Sequence, residues 1–91
     1  MRFNFKTSFY RCFKKLSPFK QKLVLEAIDK LKVFYETRQL SLGLGLKNLR
    51  GNYWEIRLSL KDRVLFYLSE GNISFILVGN HDEIRRYLKS L

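Results

Sequence analysis

Apolar and polar positions along this chain alternate with two periods, and the switches between them mark out the elements. Met1 to Lys6 sets Phe3 and Phe5 on one side against Arg2, Asn4 and Lys6 on the other, the two-residue period of a half-buried strand. Phe9, Cys12, Phe13 and Leu16 then recur at helical spacing, with Thr7 or Ser8 placed to cap the helix start. Ser17-Pro18 stops that helix and starts another, because serine accepts the unpaired backbone donors of a first turn and proline tolerates the first helical position. From Pro18 to about Thr37, Leu23, Val24, Ala27, Ile28, Leu31, Phe34 and Tyr35 form a stripe, and Lys20, Lys22, Glu26, Asp29, Lys30 and Lys32 cover the rest. The spacing predicts a helical hairpin that lays an apolar face on a flat partner. No heptads persist, which excludes a coiled coil.

Arg38 to Gly45 shows no periodicity, and Gly43 and Gly45 mark a loop. It lacks the Gly-Lys-Ser/Thr ending and the preceding strand of a phosphate-binding loop. Leu46 to Leu49 leads into a sheet and Gly51-Asn52 turns the chain. Tyr53 to Leu58 then alternates Trp54, Ile56 and Leu58 against Tyr53, Glu55 and Arg57. Arg63 to Leu68 alternates Val64, Phe66 and Leu68 against Arg63, Leu65 and Tyr67. Glu70-Gly71-Asn72 signals a tight turn, and Ile73 to Val78 is apolar on both faces, as an interior strand of a covered sheet would be. His81 to Leu91 reads as a short helix or tail, with Ile84, Tyr87 and Leu88 inward and Arg85, Arg86 and Lys89 outward.

Register decides what the hairpin gathers. Residues directly opposite in an antiparallel pair share a face, so pairing the apolar sets puts Ile56 opposite Val64 and Trp54 opposite Phe66. Arg57 then falls opposite Arg63, with Glu55 beside them on the same face. A slip of one residue would mix the faces. Two like charges directly opposite are destabilising, so a sheet keeps such a pair for a reason or because both ends reach solvent.

Composition adds a field to this pattern. The chain holds 18 Lys and Arg against 8 Asp and Glu, a net charge of +10, and the excess is concentrated in the N-terminal half. Such a field attracts polyanions: a nucleic acid, a ribonucleoprotein surface or a strongly acidic protein. Ninety-one residues with 46% hydrophobic content make one packed domain, residues 1–91. The lone Cys12 sits in a helical apolar stripe and forms no internal disulfide, in keeping with a reducing compartment. No apolar stretch approaches the ~20 residues of a membrane span, and no signal-peptide pattern follows the N-terminus. A cytoplasmic protein with no membrane partner is expected.

Four runs, taken in order, resemble one known family. They are Leu46-Lys47-Asn48-Leu49-Arg50-Gly51, Tyr53-Trp54-Glu55-Ile56-Arg57, Asp62-Arg63-Val64-Leu65-Phe66-Tyr67 and Val78-Gly79-Asn80-His81-Asp82-Glu83. The pattern is similar to the RelE/ParE superfamily of toxin–antitoxin toxins over nearly the whole chain. The resemblance implies an α+β, RelE-like fold: a small, mostly antiparallel sheet with an N-terminal strand, a two-helix hairpin on one face, the other face open, and a short C-terminal helix or tail. It also implies an acidic antitoxin as partner, a monomeric toxin when alone and a hetero-oligomer with the antitoxin. The RelE-like branch cleaves messenger RNA in the ribosomal A site without metal or cofactor, and the ParE-like branch poisons DNA gyrase. The Gly-x-His-x-Asp/Glu pattern resembles the YafQ-type ribonucleases, which puts His81 in a catalytic position. Arg63 matches the arginine that opens the third strand in nuclease members, and Arg57 a basic residue on the second strand. The chain departs from RelE itself in carrying Glu55 and Arg57 where RelE has two lysines, and His81 where RelE has an arginine. Tyr87 lies where RelE has a tyrosine.

Metal-free RNA cleavage needs a base for the ribose 2′-hydroxyl, cations for the phosphorane and an acid for the leaving oxygen. Glu55 and His81 are the candidates for base and acid, neither fixed in its role, and Glu55 is equally a counter-charge for the arginines. Arg63 and Arg57 would grip the scissile phosphate. Lys47, Arg50, Arg85 and Arg86 are candidate RNA contacts, and Tyr53 and Tyr87 candidate stacking surfaces. The alternatives are a gyrase-directed toxin without nuclease activity and an inactive basic module that only holds an acidic partner or DNA.

Overall fold

The computed structural model describes residues 1–39 and 43–91. Its elements run β1 (Arg2–Phe5), α1 (Thr7–Phe13), α2 (Pro18–Thr37), β2 (Lys47–Arg50), β3 (Tyr53–Arg57), β4 (Asp62–Ser69), β5 (Asn72–Asn80) and α3 (His81–Lys89). Of the loop expected over 38–45, residues 40–42 lie outside the described residues. The strands form one sheet in the order β1-β5-β4-β3-β2, antiparallel except for the parallel β1–β5 pair. The α+β, RelE-like architecture expected from the sequence is the one observed.

The chain passes from β1 into α1 without a side-chain cap. Lys6 is the N-cap residue, and its N–H remains the last rung of the β1–β5 ladder, donating to the Phe75 carbonyl at 2.9 Å. Thr7 is already helical, so neither it nor Ser8 caps the helix, contrary to expectation. The Ser8 hydroxyl donates instead to the Ile76 carbonyl on β5. For α2 the expectation is met: Ser17 Oγ accepts from the Lys20 N–H at 3.2 Å and Pro18 opens the helix. A Lys20–Asp62 ion pair at 3.2 Å then ties the start of α2 to the start of β4.

Both helices bury their stripes on one face of the sheet. Phe9, Val24, Ala27, Ile28 and Leu31 meet Ile56, Val64, Phe66, Ile73, Phe75 and Val78 there. Phe75 is the hub of an aromatic cluster, its ring 5.1 Å from Phe5, 6.1 Å from Phe9, 6.0 Å from Phe66 and 6.4 Å from Phe3 between centroids.

The other face is not left open, as the family resemblance implied. Helix α3 folds back over it and buries Ile84 against Leu65 and Ile76, with Leu77, Tyr87 and Leu88 packed alongside. Its turn out of β5 is fixed by a capping box: Asn80 Oδ1 accepts from the Glu83 N–H at 2.8 Å and Glu83 Oε1 accepts from the Asn80 N–H at 3.0 Å. Gly79 permits this fold-back, since a Cβ there would lie 3.1 Å from the Glu83 side chain. The register of β4 against β5 shifts at Leu65/Phe66, a bulge that leaves the successive residues Ile76 and Leu77 both packed on the α3 side.

Candidate functional site

The register of β3 against β4 is the one that apolar pairing demands: Trp54 opposite Phe66, Ile56 opposite Val64 and Arg57 opposite Arg63. The row continues to Gly79 on β5, two residues before His81, and Asp62 pairs with Asn80. The ends of three strands therefore bring Arg57, Arg63 and His81 to one edge of the sheet, on the α3 face.

Glu55 lies one step inward on that face, between Lys47 on β2 and Leu65 on β4. It is only 4% exposed, and among the described residues it is the buried charged side chain. A carboxylate taken out of water demands a partner, and Glu55 Oε2 has one in Arg63 Nη1 at 3.4 Å. Glu55 Oε1 and Arg63 Nε are buried without a partner. Arg63 thus gives one end of its fork to the glutamate, and its side chain, 16% exposed, lines the groove at the edge. Among the described residues the ion pairs are this one and Lys20–Asp62, so most of the surplus cations stand unneutralised on the surface.

His81 is exposed and opens α3. Arg85, one turn on, donates from Nη2 to His81 Nε2 at 2.8 Å. Arg63 and His81 line a common open groove of about 390 Å³, with Lys61, Asp62, Asn80 and Asp82. Among the described residues no three His, Cys, Asp or Glu side chains gather as a metal-ligand group.

The remaining candidates part from this edge. Lys47 stays near it, exposed beside Glu55. Arg50 donates to the Leu88 carbonyl at 3.0 Å and so fastens the end of α3. Arg86 lines a different cleft with Cys12, Leu77 and Glu83. Tyr53 and Tyr87 form a cluster with Tyr67 at the opposite end of the same face, Tyr53 lying 4.9 Å from Tyr67 and 6.4 Å from Tyr87. Burial pushes the Tyr87 phenol above its ordinary pKa, and Tyr53 pushes it further. Tyr67 follows Arg63 by four strand residues, a separation of about 13 Å.

Two supporting residues escaped the sequence reading. The sequence alone suggests an RNA contact for Arg85, although its spacing of four from His81 on a helix is a signal that the two side chains meet. Gly45 was read only as a loop glycine. Its φ is +64°, and a Cβ there would sit 2.8 Å from the Arg57 Cβ. The loop is laced to β3 at this point, the Arg57 N–H donating to the Leu44 carbonyl at 2.8 Å. A Gly45→Ala variant is expected to lose about 1–2 kcal/mol to the left-handed backbone alone, with a further loss as Arg57 is pushed aside. Urea denaturation checks this, and wild-type stability would show that the loop does not brace Arg57.

No protein-family model and no curated protein matches the sequence. Solved structures do match. The RelB–RelE antitoxin–toxin complex from Methanococcus jannaschii contributes a chain with 21% identity and a TM-score of 0.67, covering 92% of this chain and 96% of that one. The archaeal RelE–RelB complex from Pyrococcus horikoshii OT3 gives 16% identity and a TM-score of 0.68 over 87% and 92% of the two chains. YafQ from E. coli gives 14% identity and a TM-score of 0.62 over 92% and 98%. The chain has the fold of these RelE/ParE-type toxins.

Proposed function

We propose that this protein is the toxin of a toxin–antitoxin pair and that it cuts messenger RNA on the translating ribosome. The observation that carries the reading is that Arg63 and His81 line one groove, at an edge where Arg57 stands directly opposite Arg63. The fold supports the toxin role, since solved neighbours include antitoxin–toxin complexes. The net charge of +10 suits an acidic antitoxin and a ribosomal RNA surface alike.

In the reaction, the ribose 2′-hydroxyl gives its proton to a base and the 2′-oxygen bonds to phosphorus. The bond from phosphorus to the 5′-oxygen then breaks, leaving a 2′,3′-cyclic phosphate, and the departing oxygen takes up a proton from water. His81 is the base, an exposed imidazole on the groove it shares with Arg63. Arg85 lies one turn on, its Nη2 2.8 Å from the imidazole. Arg57 and Arg63 surround the phosphorane oxygens, a task suited to planar forks. Glu55, at 4% exposure, is a positioning residue that holds Arg63.

Expression without the antitoxin is expected to arrest growth, and primer extension to map cuts in phase with codons. Arg63→Ala and His81→Ala should each relieve the arrest while circular dichroism stays native. Undiminished toxicity in both variants would sink the proposal.

A further inference from the structure

The tyrosine cluster lies on the same face as the arginine row but has no place in the chemistry above. The register runs Tyr53, Tyr67 and Ser74 straight across β3, β4 and β5. With Lys6, Ser69 and Tyr87 these residues line an open cavity of about 670 Å³, within the ~300–1,000 Å³ range of small-ligand clefts. Tyr53 meets Tyr67 and Tyr87 edge to face, at 69° and 64°, instead of stacking on either. Asn52 Nδ2 donates to Tyr67 Oη at 3.4 Å, which leaves the Tyr67 proton free to donate. Serine hydroxyls supply donors and acceptors suited to a base edge, and exposed Lys6 supplies charge at the rim.

Along β3 the arginine end and the tyrosine end are separated by Glu55, which is buried, with exposed Lys47 paired beside it on β2. The tyrosines lie about 13 Å along the strands from the arginines, a span of a few nucleotides. Single-stranded RNA is recognised by splaying bases out and stacking them on aromatic side chains.

We infer that the Tyr53–Tyr67–Tyr87 cavity binds one nucleobase of a single-stranded RNA, a few nucleotides from the phosphate held by Arg57 and Arg63. The inference rests on the RNA-cleaving reading, and it joins the stacking candidates Tyr53 and Tyr87 with Tyr67 in one anchor, apart from the cutting site, that sets where the cut falls.

The test uses the full chain and a short 2′-O-methyl RNA that cannot be cut, with the base removed at each position in turn. One abasic position is expected to weaken wild-type binding by about tenfold. Tyr67→Ala should weaken the intact RNA by a similar factor and leave the oligonucleotide lacking that base unaffected. Tyr67→Phe, which keeps the ring, should bind within about twofold of wild type, and Ser74→Leu, which fills the cavity from its floor, should reproduce the alanine loss. Independent, additive losses from Tyr67→Ala and base removal would overturn the inference, as would an RNA with no sensitive position or no binding. If the base signature appears while Arg63→Ala leaves growth arrest unchanged, the nuclease reading fails and the cavity assignment stands. Arrest that depends on Arg63 without the base signature has the opposite meaning.

Discussion

A Glu55→Leu/Arg63→Met double variant is expected to keep its stability to within about 1–2 kcal/mol while losing the ability to cut RNA. Glu55 is 4% exposed, and the Arg63 side chain is 16% exposed. Burying such a pair costs desolvation that its attraction barely repays, and apolar replacements of similar volume are often neutral or stabilising. The partnerless Glu55 Oε1 and Arg63 Nε make this pair a poor bargain even by that standard. Removing one partner is different. Glu55→Leu alone leaves a largely buried guanidinium without its anion and should lose about 3 kcal/mol, near the low end of such measurements because Arg63 keeps some contact with water. Cleavage should fall in both variants, and with Arg63 gone by on the order of a hundredfold or more, as when an oxyanion donor is removed. Urea denaturation of the two single variants and the double variant reads the stability cycle, and growth arrest reads the activity. A double variant less stable than either single variant, or one that still arrests growth, would show that the pair serves the fold.

Phe75→Ala should cost the most stability of any truncation, about 3–5 kcal/mol. Phe75 is fully buried and its ring meets those of Phe3, Phe5, Phe9 and Phe66, so it joins β1, α1 and β4 to β5 at once. Small domains are stable by only about 5–15 kcal/mol in all, so the variant should be substantially unfolded near physiological temperature. Phe19, on the first turn of α2 and 69% exposed, is the matched control, and its alanine variant should melt within a few degrees of wild type. Equal melting points for the two would mean that Phe75 is not the hub.

The parts of this architecture written in local period are legible in the sequence. Alternation in Tyr53–Leu58 and Arg63–Leu68 fixed the register, and the register alone placed Arg57 against Arg63. Ser17-Pro18 marked the break between the helices because capping is a local matter. The rest depended on where distant segments land. The apolar run Ile73–Val78 predicted an interior strand, but not the bulge, because a continuous apolar run has no phase to lose. Tyr87 could be assigned to the helical tail but not to a position, since only the packing of Ile84 on Leu65 and Ile76 settles where α3 lies. Glu55 read equally as base and counter-charge until its burial was known. The expected caps on α1 failed because a ladder hydrogen bond and a bond to Ile76 outcompeted local capping.

The bulge has a bearing on how this family of shapes can vary. Ile73 and Phe75, at odd positions, and Val78, at an even one, all face the helical hairpin, so the two halves of β5 count in opposite parity and the surplus residue at Ile76/Leu77 absorbs the difference. The Ser8 hydroxyl on the Ile76 carbonyl clamps that joint. The core half of the strand and the half that delivers His81 are therefore indexed separately, like two rulers spliced end to end. A chain built this way can gain or lose a residue at the splice and still present its histidine beside the arginines, without disturbing the phenylalanines on which the fold rests.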